Sequence, residues 1–206
     1  HPASLVLGTF DFAPDVADSP LSRILTQTSY LFAHPLLADG DTAVADLGAT
    51  CNLSVPAIGA IDAGFDQRFT FAAEDVDFAL RLQDAGYTLR FSAGARAHHD
   101  HRLTVDGIER MARLRGVGAA RLGLKHGVSD KLLSDLRVVM TDKAGAEHAF
   151  QRAGELLRQE LSTGDQDGYF SEECYGALDT IFRVGNLLGC LDEPALVRRV
   201  TQPVPG

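Results

Sequence analysis

Glu74 and Asp75 are adjacent carboxylates at the head of a helix-like run, EDVDFALRLQDAG (74–86). A carboxylate in the first turn of a helix is held rigidly enough to act as a general base. Its neighbour can orient it or bind a substrate hydroxyl. The same placement is favoured without any chemistry, because free N–H groups and the macrodipole stabilise an acidic side chain there by about 0.3–1 kcal/mol. A second cluster, AHHDH (97–101), places His98, His99, Asp100 and His101 within a few positions. Imidazole and carboxylate are ligands for manganese, zinc, iron or nickel. The spacing is not that of an HExxH site, and a solvated polar loop is the alternative. The cluster follows an extended run, and strand ends are where α/β folds place their ligand residues.

The elements that must position these groups can be read from periodicity. Residues 3–12 are rich in Leu, Val and Phe and predict a buried strand. APDVADSP reads as a turn, and LSRILTQTSYLFAHPLL (21–37) as a helix with Pro35 near its end. NLSVPAIGAIDAGFD (52–66) predicts a strand end, a short helix opened by Ser54 or Pro56, and a turn at Gly64. In the helix at 74–86, Val76, Ala79, Leu80 and Gln83 mark a stripe that Leu82 and Ala85 widen, and Gly86 is the stop. Tyr87 to Phe91 predicts a strand. Thr104 is placed to cap a locally basic helix over 104–127. Residues 129–162 and 171–191 predict further helices, separated by the turn TGDQDG, and PVPG forms a tail. Strands therefore mix with helices up to about residue 104, and only helices follow.

Composition narrows the function. The 206 residues are 45 % hydrophobic and 23 % charged, which predicts a folded core. A net charge of −9 disfavours a nucleic-acid binder, which needs cations to meet phosphates. Three scattered cysteines, Cys51, Cys174 and Cys190, point to a reducing compartment without a disulfide framework. No apolar run is long enough to span a bilayer, which takes roughly 20 residues, and no signal peptide is present. The chain opens on His1 and enters an apolar run at once, so we expect the native chain to extend upstream.

In order along the chain, CNLS (51–54), AGFDQRF (63–69), AEDVDFALRLQDAG (73–86) and AHHDH (97–101) resemble the second half of the family 2 glycosyltransferases, which have a GT-A fold. The resemblance covers about residues 1–104. It implies an α/β fold class: a partial, acceptor-side GT-A-like domain over 1–104 and an all-helical extension over 105–206. By resemblance, Asp75 is the catalytic base and Glu74 flanks it. Asn52, Asp66 and Arg81 fall on substrate-binding positions. His99 best matches the family histidine that helps hold the metal or diphosphate, with His101 the second choice.

The implied reaction is a single inverting displacement between a nucleotide-sugar donor and a carbohydrate, lipid-linked or protein acceptor. The implied cofactor is a divalent Mn or Mg ion acting as a Lewis acid on the leaving diphosphate. In the family, that ion is held mainly by an Asp-x-Asp at the end of an apolar strand in the donor half. Asp39-Gly-Asp41, Asp75-Val-Asp77 and Asp165-Gln-Asp167 are the literal matches, and none follows a buried-strand run. This chain accordingly reads as the acceptor half, inactive alone. It also departs from the pattern at Cys51, where Gly is common, and at Pro56-Ala57, where many members carry a basic residue.

The expected location is cytoplasmic, or at the inner face of the membrane. Arg110, Arg113, Arg115, Arg121 and Lys125 suggest either peripheral contact with anionic lipid, a lid over the diphosphate, or the solvated face of a packed helix. Two rival functions remain open at this level. One is a non-catalytic binding or assembly module of the same fold, and the other is a metal hydrolase built on the histidine cluster.

Overall fold

A computed structural model describes residues 4–31, 37–43, 47, 50–69, 72–163 and 169–202. Pro35, the Asp165-Gln-Asp167 string and the PVPG tail lie outside the described residues. The chain divides into two compact units, His1–Thr70 with Glu74–Arg102, and Phe71–Ala73 with Leu103–Gly206.

The described residues of the first unit form a three-stranded sheet with helices. Strand β1 (Ser4–Phe12) is the expected apolar run and lies in the centre. Strand β2 (Leu53–Ser54) pairs with it antiparallel, and β3 (Thr88–His99) pairs with it parallel. Between β1 and β2 come the short helices α1 (Pro14–Ala17) and α2 (Pro20–Thr26). The stretch read as a turn, APDVADSP, thus contains a helical turn, started by a proline whose missing N–H costs nothing at that position. Conversely, the helix expected over 21–37 stops at Thr26. There Thr26 Oγ1 donates to the Ser22 carbonyl at 2.9 Å and Thr28 Oγ1 to that of Leu25 at 3.1 Å. Hydroxyl side chains that bond nearby carbonyls compete with the continuing helix.

After β2 come α3 (Ala57–Ala63), ended at Gly64, and α4 (Glu74–Asp84), followed by Gly86 at φ 91°. Helix α4 buries Ala79, and places Phe78 and Leu82 in a core that also holds Leu5, Leu7, Leu89 and Phe91. Of the expected stripe, Ala79 and Leu82 are buried, Val76, Leu80 and Gln83 are half-buried and Ala85 is exposed, while Phe78, one turn before Leu82 and outside that stripe, faces the core.

Strand β3 is longer than the expected 87–91 and carries His98 and His99 within it. It extends because its pairing with β1 breaks and then resumes. Ser4–Gly8 pair with Thr88–Ser92, Ala93–Ala95 bulge out, and Thr9–Phe12 pair with Arg96–His99.

The described residues of the second unit are helical: α5 (Val105–His126), α6 (Asp130–Thr141), α7 (Lys143–Thr163), α8 (Glu172–Cys190) and α9 (Pro194–Thr201). Thr104 caps α5 as expected, accepting from Gly107 N at 3.0 Å. The single helix expected over 129–162 is two. Asp142 leaves helical geometry, and its carboxylate accepts from Gly145 N at 2.9 Å, which starts α7. Sequence reading had no helix at 194–201, yet α9 buries Leu196 and Val200 beside Leu136 and Cys190.

Two of the cations of α5 are paired within this unit. Arg113 pairs with Glu147 and lies over the Phe150 ring at 4.9 Å, and Arg121 Nε meets Glu193 at 3.1 Å. No helix among the described residues is long and apolar enough to cross a membrane.

Helices α5 and α8 approach through glycines. A Cβ at Gly116 would fall against the Asn186 carbonyl oxygen, and one at Gly189 against the Arg113 carbonyl. Both obstacles are backbone and cannot swing aside. Gly189→Ala is expected to cost about 1–3 kcal/mol in urea unfolding, the usual penalty for overpacking. Unchanged stability would show that the helices can separate freely.

Candidate functional site

The bulge in β3 is bridged by one side chain. Asn52 closes a 3-10 turn (Thr50–Asn52), and its Nδ2 donates to the Thr9 carbonyl at 2.7 Å and to the Ala95 carbonyl at 2.9 Å. Those carbonyls lie at the register break, Thr9 as the first residue of β1 beyond it and Ala95 as the last residue of the bulge in β3. Gly8 makes the crossing possible, because a Cβ there would overlap both the Asn52 amide and the Ala95 oxygen. Asn52, assigned to substrate binding by resemblance, thus spends its amide N–H groups on the sheet.

The clamped turn also carries Cys51. Although that residue is exposed, the surrounding protein desolvates its sulfur and pushes the thiol pKa up, and the charge of Asp75 adds to the rise. Turn and helix start are therefore electrostatic neighbours. Asp75 Oδ1 accepts from Val76 N at 2.8 Å, so the carboxylate serves the helix start while remaining partly exposed. Glu74 Oε2 is buried and meets no hydrogen-bond donor among the described residues. Just before this pair, Ala72 and Ala73 have φ of 60° and 69°. Left-handed backbone costs an L-residue about 1–2 kcal/mol. Strain of this kind collects where geometry matters more than stability.

Further along α4, Asp77 is fully buried and accepts from Arg81 Nε at 2.9 Å. The same guanidinium donates to the Ala63 carbonyl and, at 2.6 Å, to the Gly64 carbonyl. Arg81 therefore ties α4 to the end of α3. Phe65, beyond that end, stacks on Phe78 with ring centroids 4.7 Å apart. Asp66 is engaged within its own turn, accepting from Arg68 N at 3.0 Å and Arg68 Nη2 at 2.6 Å. Asp66 and Arg81, expected at the substrate, both shape the Gly-Phe-Asp turn. In the sequence Asp77 was weighed only as part of the Asp75-Val-Asp77 string, although its spacing of four from Arg81 is an ion-pair signal.

Three aspartates of the two described Asp-x-Asp strings are engaged in the fold. Asp39 Oδ1 accepts from Ala93 N and Asp41 Oδ2 from Ala38 N, each at 2.8 Å. Asp77 belongs to Arg81.

His99 and His101 have ring centroids 6.1 Å apart, and His99 packs edge-on to Phe12 at 5.7 Å. Among the described residues, no group of three or more His, Cys, Asp or Glu side chains is placed to hold a metal ion. Two imidazoles without a third ligand among the described residues do not make up a divalent-ion site by themselves.

Residues 26–121 match the family model described as Glycosyl transferase family group 2. Over those residues the chain is similar to part of a glycosyltransferase family 2 domain. The match covers less than half of the 206 residues. It takes in the clamped turn, α3, α4 and β3. It also passes residue 104 and runs most of the way along α5. No curated protein and no solved structure matches the chain.

Two outcomes are expected from this candidate site. Asn52→Ala leaves the Thr9 and Ala95 carbonyls without their donor and lowers unfolding stability by about 1–3 kcal/mol. An unaltered denaturation midpoint would release Asn52 from the sheet. The second concerns His99, whose pKa is lowered by burial and then by the charge of His101, with Asp100 opposing. A folded pKa below the unfolded value means that the unfolded chain takes up the proton first. Stability contributed by neutral His99 is then lost as pH falls below about 6.5. His99→Gln should flatten the loss of thermal stability below that pH relative to the parent, and parallel curves would contradict this.

Proposed function

We propose that this chain carries the acceptor-side part of an inverting glycosyltransferase that uses a nucleoside-diphosphate sugar, with Asp75 as base. The observation that carries the reading is the family match over 26–121, which includes both carboxylates at the start of α4. The helix behind them is well fixed, by Phe78 and Leu82 in the core and by the Asp77–Arg81 tie to α3.

Asp75 takes the proton of the acceptor hydroxyl as that oxygen attacks the anomeric carbon. The bond from that carbon to the diphosphate oxygen breaks, its electron pair leaves with the diphosphate, and the configuration inverts. Glu74 flanks the base and orients the acceptor. The donor diphosphate is expected to be held by residues other than those described, since Asp39, Asp41 and Asp77 are engaged in the fold. The acceptor is a carbohydrate, lipid-linked or protein hydroxyl.

The bond from Val76 N to Asp75 favours a second reading, in which the pair only caps α4 in a non-catalytic binding module. Asp75→Asn separates the two, because asparagine caps a helix about as well as aspartate. In the full-length protein, release of nucleoside diphosphate from a panel of nucleotide sugars should fall by at least roughly 10²-fold. Near-normal turnover would remove Asp75 from the chemistry.

A further inference from the structure

Helix α3 reverses the usual order of side chains. A helix on the surface of a domain turns its large apolar residues to the core and its polar ones to water. In α3 the small residues go inward. Ala60 and Ala63 pack against the core of the first unit. Gly59 lets the helix approach so closely that a Cβ there would lie 2.9 Å from the Tyr87 ring. The large residues face out. Ile58 is 67 % exposed and Ile61 80 %. Three residues apart, they share one side of the helix. Phe65, just past the helix end, is 51 % exposed and lays one face on Phe78. Phe78 stands one turn along α4 from Glu74 and Asp75, on the same side of that helix. The apolar face of α3 thus reaches the candidate acceptor site within one unit.

Two observations decide what covers this face. A stable protein interface takes about 20–30 residues a side, and three side chains fall well short of that. An anionic bilayer surface calls for cations. Here Asp62 stands exposed beside Ile61, and the Arg68 guanidinium is held by Asp66. A short apolar strip beside a carboxylate pair suits a single hydrocarbon chain.

We propose that Ile58, Ile61 and Phe65 bind the hydrocarbon chain of a lipid-linked acceptor and so bring its hydroxyl end to Glu74 and Asp75. The acceptor role rests on the glycosyltransferase reading, whereas the chain-binding face does not.

Methyl and amide NMR on the 206-residue chain tests this, with alkyl glucosides as probes. The chain has five isoleucines, and Ile24, Ile108 and Ile181 are fully buried internal standards. Hexyl, octyl and decyl glucoside, each below its micelle concentration, should shift the methyls of Ile58 and Ile61 and the amides of Glu74 and Asp75. Affinity should rise about tenfold with each two methylenes added. Ile61→Asn, at an exposed position, should weaken decyl glucoside binding by about tenfold while the three buried methyls keep their shifts. Affinity independent of chain length would overturn the proposal, as would methyl shifts without movement at Glu74 and Asp75. So would Ile58 and Ile61 methyls shielded from a soluble gadolinium chelate in the free chain, since protein would then occupy the face. Tighter capture by neutral phospholipid vesicles than by decyl glucoside would give the face to a bilayer instead. The titration needs neither donor nor turnover. A flat series therefore leaves the role of Asp75 standing, and a fully active Asp75→Asn leaves chain binding standing.

Discussion

Two hydrogen bonds from one amide group hold the first unit in register. A parallel pair of strands that slips by three residues should expose backbone groups at the break. The Asn52 amide spans that break, joining Thr9 on β1 to Ala95 on β3. Leaving such part-buried carbonyls unpaired costs more than the bond itself contributes. The arrangement needs Gly8, where any side chain would displace the amide. It also fixes the turn that carries Cys51 into the field of Asp75. Sheet continuity and site assembly thus depend on the same side chain.

Helix α4 is built to keep its first turn still. Its apolar face is anchored by Phe78 and Leu82, and its polar side by a buried carboxylate that needs its cation. Removing one partner of a buried ion pair commonly costs about 3–5 kcal/mol, so the Asp77–Arg81 tie is not easily given up. Arg81 turns its remaining donors to the end of α3 and thereby shapes the Gly-Phe-Asp turn. Rigid elements with a strained entry at Ala72 and Ala73 are an economical way to aim a carboxylate. Helix capping and catalysis are compatible roles for Asp75, since the bond from Val76 engages one oxygen.

Much of this was legible in the sequence where local rules govern. The apolar run of β1, the Gly64 and Gly86 stops and the Thr104 cap each have a short-range cause. The resemblance carried by CNLS, AGFDQRF, AEDVDFALRLQDAG and AHHDH is matched by the family assignment of 26–121. What escaped was long-range. The extension of β3 through His98 and His99 depends on renewed pairing with β1 across a bulge. The resemblance placed Asn52, Asp66 and Arg81 at substrate-binding positions, and it gave no sign of the bonds they make in the fold, from Asn52 to the Thr9 and Ala95 carbonyls and from Arg81 to the Ala63 carbonyl. Positive φ at Ala72 and Ala73 left no trace, because the usual markers, glycine or asparagine, are absent there.

The central claim is that the clamped turn and the start of α4 form one site. The pH dependence of Cys51 alkylation by iodoacetamide measures it. Cys174 and Cys190 are buried, with thiols pushed up to about 11, so the exposed Cys51 reacts first. If Asp75 lies beside it, Asp75→Asn lowers the Cys51 thiol pKa by removing one of the charges that oppose the thiolate. An unchanged pKa would mean that the turn and the carboxylate do not share a site.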